Sequence, residues 1–447
     1  MNGYPFFRIC RPDELEPVIG NSVQAQYILK YVKDLSCKTC LQEKEYIDRD
    51  YMIDYADFYS RSFQEFKRKV NRIHFFTGEF DEDDFSRALI DNDLKSICGD
   101  YIGFTVVKPI ENSLRQPTIG RTLLSTYSCN NDRDHNSRRI FTRYQYPVHI
   151  FGNEFTVETL PFQSQDTAVG ACATASLWIS CNAMNKLFDT ELCSPYEITE
   201  RSLTYPSISR KFPSTGLDPY QVFNFLWSQG LDTEVLVLAN MNIHEYDKPS
   251  KQSLQAAYLF IRAFIRANIP IITALSLKRE DEESLDYHAA VISGFTEGNT
   301  DAVSKLYFHD DQIGPFCGTE WTHNTNRLSN EWVSRGWDSL NMNILIAPIY
   351  HKLRLPILEA IGHFNKMKSI AVERGIQADL LIYNSNDYKA ELLEQDIVDK
   401  PRVLMSNLPR FIIVERFFTE HRLFKDVLLD GTHPFPSIIE PVVEYNQ

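Results

Sequence analysis

The sequence predicts an α+β protein in which a helical lobe leads into an antiparallel β lobe across residues 151–350, flanked by mixed α/β segments at both ends. Three observations carry that prediction. Helical periodicity clusters between residues 172 and 267. Short β-type runs then follow one another from residue 271 to 347. Polar, turn-rich stretches separate this middle region from the ends.

In the first segment, residues Asp54–Phe75 place Tyr55, Phe58, Tyr59, Phe66, Val70 and Ile73 near a helical period. Lys67, Arg68, Lys69 and Arg72 would fill the polar face of that helix. Tyr101–Val107 reads as a strand ending at Lys108-Pro109, with Gly120–Leu124 pairing nearby. The run Ser128–Arg139 is polar and rich in turn formers, which sets a loop there and a domain boundary near residue 150. Residues 1–150 then form an N-terminal mixed α/β domain.

Helices are expected at Cys172–Phe188, Asp218–Gln229 and Ser253–Ala267. Pro270 closes the last of these before the strand Ile271–Leu277. Further strands are expected at Ala289–Phe295, Leu306–His309 and Asn343–Ala347, with a cleft between the two lobes. From residue 351 the chain offers a helix near Leu355–Ile370, strands at Leu380–Tyr383 and Phe411–Phe417, and a Pro-rich tail. This C-terminal segment is expected to pack back on the N-terminal domain.

A chain of 447 residues with 43% hydrophobic and 24% charged residues has room for two or three domains, each with its own core. Its net charge of −14 argues against a nucleic-acid partner, because phosphate binding needs a basic footprint. No apolar run approaches the length of a membrane span, and the start of the chain lacks a charged-then-apolar leader profile. Nine cysteines, an odd number without a tight framework, fit a reducing compartment. A cytoplasmic protein is therefore expected.

The chemistry is concentrated in Pro161–Phe188, Tyr287–Phe295 and Leu306–Asp311. A cysteine attacks a carbonyl as its thiolate, and a helix N-terminus favours an anion. Cys172, after Gly170-Ala171, opens such a helix, and small neighbours leave space at the sulfur. An imidazole must take the thiol proton; His288 heads a run of small and β-branched residues that would hold its ring. An acceptor must fix that ring, and Asp310 or Asp311 follows on the next strand. Asp310 continues the run Tyr307-Phe308-His309 directly. Gln165, or Gln163, is the candidate oxyanion donor. Cys181, Cys193 and Cys317 read as structural.

Residues 160–315 thereby resemble the papain-like cysteine peptidase superfamily, and are most similar to the bacterial branch that includes bacteriocin-processing peptidases. There a Gln precedes a helix-opening Cys, a His heads an apolar strand ended by Gly, and an Asp closes the next strand. The matching positions are Gln165, Cys172, His288 and Asp310. Two departures stand out: the Gln-to-Cys interval is one residue longer than the family's usual one, and Asp310 is followed by Asp311 where Pro is common. The resemblance implies a papain-like two-lobed fold and a Cys-His-Asp hydrolase cleaving an amide or isopeptide bond of a protein or peptide. Papain-like amidases, deamidases, acyl transferases and a silent binding module share the same layout.

No cofactor is expected. The chain has no GxxxxGK[ST] phosphate loop, and Cys37-x-x-Cys40 lacks a second ligand pair at zinc-site spacing. His309, Asp310, Asp311 and His323 could form a metal site, but strand alternation would turn His309 away from Asp310. The expected partner is the protein or peptide substrate. The flanking segments could also recruit a regulatory protein.

Overall fold

A computed structural model describes residues 6–112, 114–128, 138–166, 168–206, 216–239, 248–279, 285–297, 305–322, 325–330, 332, 337–373, 375–419 and 422–446. The centre of the polar loop expected at Ser128–Arg139, residues 280–284 of the acidic loop before His288, and His323 lie outside the described residues.

The N-terminal segment is built on one antiparallel sheet. Its strands β1 (Phe7–Cys10), β2 (Thr39–Tyr46), β3 (Val70–Phe76), β4 (Tyr101–Glu111) and β5 (Pro117–Leu124) lie side by side in chain order. Helices α1 (Glu16–Ile19), α2 (Val23–Asp34), α3 (Arg49–Asp57), α4 (Glu82–Ile90) and α5 (Leu94–Cys98) fill the connections. The single helix expected over Asp54–Phe75 is corrected here. Helix α3 ends at Asp57, and Val70–Phe76 is a strand paired on both edges, Ile73 facing Gln42 on one side and Thr105 on the other. Ladder pairing and burial of Val70, Ile73, Phe75 and Phe76 outweigh a local helical period.

Strand β6 (Arg138–Phe141) and the hairpin β7 (Tyr144–Ile150) and β8 (Asn153–Thr159) lead into the middle segment. Its helices are α6 (Cys172–Phe188), α7 (Pro195–Ser202), α8 (Pro219–Ser228) and α9 (Lys251–Arg266). Strand β9 (Leu231–Val237) precedes α9. The strands after it are β10 (Ile271–Lys278), β11 (Asp286–Glu297), β12 (Lys305–Asp310), β13 (Gly314–Thr322), β14 (Arg327–Ser329) and β15 (Ser339–Tyr350).

Strands β10 to β15 pair antiparallel in sequence order, and β10 pairs back onto β15, with Ile272 opposite Ile346. Six strands therefore close into a barrel, with β9 added outside β15 and β6 outside β11. This overturns the expected papain-like fold of a helical lobe beside an antiparallel β lobe. The strands belong to several antiparallel sheets, one of them closed, and helix α6 packs along the barrel against β10, β11, β12 and β15. Closure follows from an unbroken series of antiparallel neighbours, whose accumulated twist brings the first strand to the last.

Gly294 in β11 makes room for β6. A Cβ built there would lie 2.5 Å from Phe141 Cδ1 and 2.6 Å from the Ile140 carbonyl oxygen.

The C-terminal segment holds a helix over Ile357–Val372 and an antiparallel sheet of β16 (Gln377–Asn384), β17 (Phe411–Thr419), β18 (Arg422–Asp430) and β19 (Ile438–Glu444). It docks on α9 of the middle segment, whereas packing on the N-terminal domain was expected. Arg262 and Arg266 of α9 reach Asp379 of β16 at 2.7 and 2.8 Å, and both also pair with Glu297 of β11. Among the described residues no helix is long and apolar enough to cross a membrane.

Candidate functional site

Helix α6 begins at Cys172. Its N-cap, Ala171, is extended and has no side-chain acceptor, so the first N–H groups of this 17-residue helix receive no side-chain cap from it. The first turn carries no acidic residue that would compete for that position. Cys172 itself is half-buried, while the following turns are buried through Leu177, Trp178 and Ile179. Cys181, Cys193 and Cys317 are buried.

The N-terminal sheet segment grips this helix from behind. Trp178 Nε1 donates to Asp50 Oδ2 of α3 at 2.9 Å, and the Tyr196 N–H of α7 donates to Asp54 Oδ1 at 3.0 Å. Both carboxyls are buried. Burial, the largest influence, raises each of them, Asp54 to about 7.

The loop before Cys172 is organised by Asp166. Its Oδ1 accepts the N–H groups of Ala168, Val169 and Gly170 at 2.9, 2.7 and 3.0 Å, and its Oδ2 accepts the Tyr59 hydroxyl at 2.8 Å. Upstream, Phe162 bridges to Thr122, and the Ser164 N–H and hydroxyl both donate to the Ile119 carbonyl of β5. Gln165 lies between these anchors and is half-buried; Gln163 is buried, with its side-chain oxygen unpartnered among the described residues.

His288 and Asp310 sit on the neighbouring barrel strands β11 and β12. His288 Nε2 is 3.0 Å from Asp310 Oδ1. Both are almost fully enclosed, with 5% and 1% exposure, so the pair is little screened by solvent. Asp310 Oδ2 accepts Trp332 Nε1 at 2.7 Å, and Oδ1 also accepts the Gln312 N–H at 3.0 Å. The Trp332 ring lies 5.1 Å from the imidazole and covers it.

Burial opposes charge on His288. The Asp310 charge and hydrogen bond, the Cys172 side chain and the Asp311 charge outweigh it and hold the imidazolium well above the usual range. Asp310 moves the opposite way: burial would raise it, but His288, Trp332 and the Gln312 N–H hold it below the usual carboxylate value. With Nε2 committed to Asp310, Nδ1 is the nitrogen left for the thiol.

The structure thus brings Cys172, His288 and Asp310 together. No family model matches the chain, and no curated protein matches its sequence.

Asp311 takes a different position. Its Oδ1 stands 3.7 Å from His288 Nε2, beyond hydrogen-bond reach, and neither oxygen has a well-formed hydrogen bond among the described residues. The N–H groups of Asp311 itself and of Gln165 lie near enough only to favour its charge. Burial dominates and pushes the carboxyl up to about 7. His309 faces away from Asp310: its Nε2 meets the Leu160 carbonyl at 3.0 Å, its Nδ1 accepts the Phe316 N–H, and burial lowers it to about 4. That removes His309 from the metal set considered from sequence.

Two residues of this site have no part in the sequence reading as donors or organisers. Trp332 carries no local signal of contact with Asp310. Asp166 does carry one, since an Asp ahead of a Gly-ended loop is a common side-chain-to-backbone turn former.

Proposed function

We propose that the protein is a cysteine-dependent hydrolase that cleaves an amide or isopeptide bond of a protein or peptide through Cys172, His288 and Asp310. One observation carries this reading: a buried imidazole bonded to a saturated carboxylate and adjoining a half-buried thiol at an uncapped helix N-terminus. His288 takes the thiol proton, and the sulfur attacks the carbonyl carbon. Negative charge grows on the carbonyl oxygen, where the N–H groups of the first α6 turn and the Gln165 side chain are the proposed donors. His288 then protonates the leaving amine, and water hydrolyses the thioester with His288 as base. Asp310 holds the ring in one tautomer throughout.

The likeness to papain-like peptidases concerns the order and roles of these residues. A reaction that needs a free thiol suits a reducing, cytoplasmic setting. The net charge of −14 fits protein or peptide partners better than nucleic acid.

The test is site-mapped alkylation of the native protein by a small thiol electrophile across a pH series. Selective labelling of Cys172 near neutral pH, lost in His288→Ala, is expected. Slow labelling spread over all accessible cysteines would remove the thiol mechanism.

A second reading is favoured by the unpartnered Asp311 carboxylate. His288, Asp310 and Asp311 offer ligand atoms within 4.8 Å of one another, close enough to share a divalent cation. A metal-dependent hydrolase would survive Cys172→Ala and lose activity to a chelator. A thiol hydrolase would show the reverse pattern.

A further inference from the structure

The segment Cys37-Lys38-Thr39-Cys40 plays no part in the site described above. It joins the end of α2 to the start of β2, and its backbone is fixed at each step. The Cys37 N–H returns to the Val32 carbonyl, Ser36 turns the chain with φ 65°, and the Lys38 N–H donates to Phe76 of β3. Thr39 and Cys40 then enter the ladder opposite Phe76 and Phe75. This turn sets Cys37 Sγ 3.8 Å from Cys40 Sγ in a thiol–thiol hydrogen bond.

The two sulfurs differ in environment. Cys37 is half-buried, and Cys40 is fully buried. The hydrogen bond from Cys40 is the largest influence on Cys37 and lowers its pKa; the same bond, with burial, raises Cys40. Such asymmetry separates an attacking thiol from a resolving one. Among the described residues the pair joins no third Cys, His or carboxylate close enough to hold a metal ion. A disulfide needs about 2.05 Å between sulfurs, so side-chain rotation must close a gap of roughly 1.8 Å on a backbone already turned to bring them together.

We propose that Cys37 and Cys40 form a redox-active dithiol that exchanges with a low-molecular-weight disulfide. The Cys37 thiolate attacks one sulfur of that disulfide; its S–S bond breaks, and one thiol leaves carrying the Cys37 proton. Cys40 then attacks Cys37 Sγ of the mixed disulfide; the Cys37–S bond to the small thiol breaks as the new S–S bond forms, and the Cys40 proton passes to the departing thiolate. The protein dithiol is oxidised by two electrons, and the small disulfide is reduced to two thiols. The pair is independent of the hydrolase reading, because neither cysteine touches Cys172, His288 or Asp310.

The experiment uses the full chain with Cys172→Ala, so that the half-buried thiol of α6 does not compete. The protein is equilibrated with graded ratios of oxidised and reduced glutathione, quenched by alkylation, and read by intact mass and peptide mapping. A single transition losing two hydrogens, with Cys37 and Cys40 linked in one peptide, is expected. Adding Cys40→Ser should trap one glutathione on Cys37, and adding Cys37→Ser should abolish the transition. Oxidation that appears only after denaturation would overturn the proposal. So would glutathione trapped on Cys10 in the Cys40→Ser protein.

Discussion

Replacing Asp310 by Asn separates two roles that adjacent carboxylates could share. With an effective dielectric of about 20, Coulomb's law gives roughly 5.5 kcal/mol for His288 with Asp310 at 3.0 Å, and roughly 4.5 kcal/mol with Asp311 at 3.7 Å. The two attractions are close, so Asp310 is not decided by charge alone. Only Asp310 is within hydrogen-bond reach. Removing its charge also relieves one cause that raises Asp311, which then ionises more readily and supplies an anion to His288.

Asp310→Asn is therefore expected to leave His288 charged at pH 6.5 while releasing the ring from its orientation. Loss of a charge-assisted bond worth about 1.5–3 kcal/mol slows Cys172 labelling by about 10- to 160-fold. Asp311→Asn should change neither property. The double variant leaves burial unopposed by a carboxylate, so His288 becomes neutral. Histidine ring NMR across pH 5–9 reads the charge, and alkylation reads the orientation. An imidazole already neutral in Asp310→Asn, or still charged in the double variant, would refute this division of roles.

The same pair sets a stability window. His288 is raised on folding, so its contribution is complete below about pH 6.5 and is lost as pH rises through its folded value. Asp310 is lowered, so its contribution is complete above about pH 3.9 and is lost as pH falls through its folded value. Asp310→Asn should lower the plateau between those limits and flatten the fall on its acid side, read by urea unfolding across pH.

Other expectations concern the frame of the site. Gln165→Ala should lower turnover by about 10²–10³ if its side chain supplies an oxyanion donor, with Gln163→Ala near wild type; the opposite ranking would transfer the role. Asp166→Ala removes the acceptor for three backbone N–H groups and the Tyr59 hydroxyl, and should cost at least about 2 kcal/mol in urea unfolding while also slowing Cys172 labelling. An unchanged midpoint would mean that the loop holds its shape without Asp166. Gly294→Ala drives a methyl group against Phe141 and the Ile140 carbonyl and should cost about 1–3 kcal/mol by separating β6 from β11; a neutral thermal midpoint would show that β6 gives way freely.

Much of the middle segment is legible locally. Helix α6 has the expected bounds because Gly170-Ala171 stops before a long apolar run; β10 and β11 follow runs with β-branched residues, and β12 follows Leu306-Tyr307-Phe308. Barrel closure is not legible: Ile272 meets Ile346 through a pairing that leaves no trace in either strand. The C-terminal hairpin is not legible, since Pro434, Pro436 and Pro441 read as a tail; yet Leu428 and Leu429 pair with Ile439 and Ile438 across Pro434 and Pro436, and Pro441 lies within β19. In the site, residue types and their order reveal Cys172, His288 and Asp310. Separating Asp310 from Asp311 needs the actual distances, and Trp332 reaches Asp310 only through the fold.

The grip of α3 on α6 bears on how this chain can be divided. The imidazole and its carboxylate belong to the barrel, whereas the sulfur belongs to a helix whose back is held by Asp50 and whose leading loop is tied to Tyr59 and β5. The proposed reactive groups thus sit on a helix and a barrel packed together, but the helix is also held from the N-terminal segment. Excising residues 151–350 would keep every proposed catalytic side chain and the packing of α6 on the barrel, yet lose the Asp50, Tyr59 and β5 contacts that steady the helix and its leading loop.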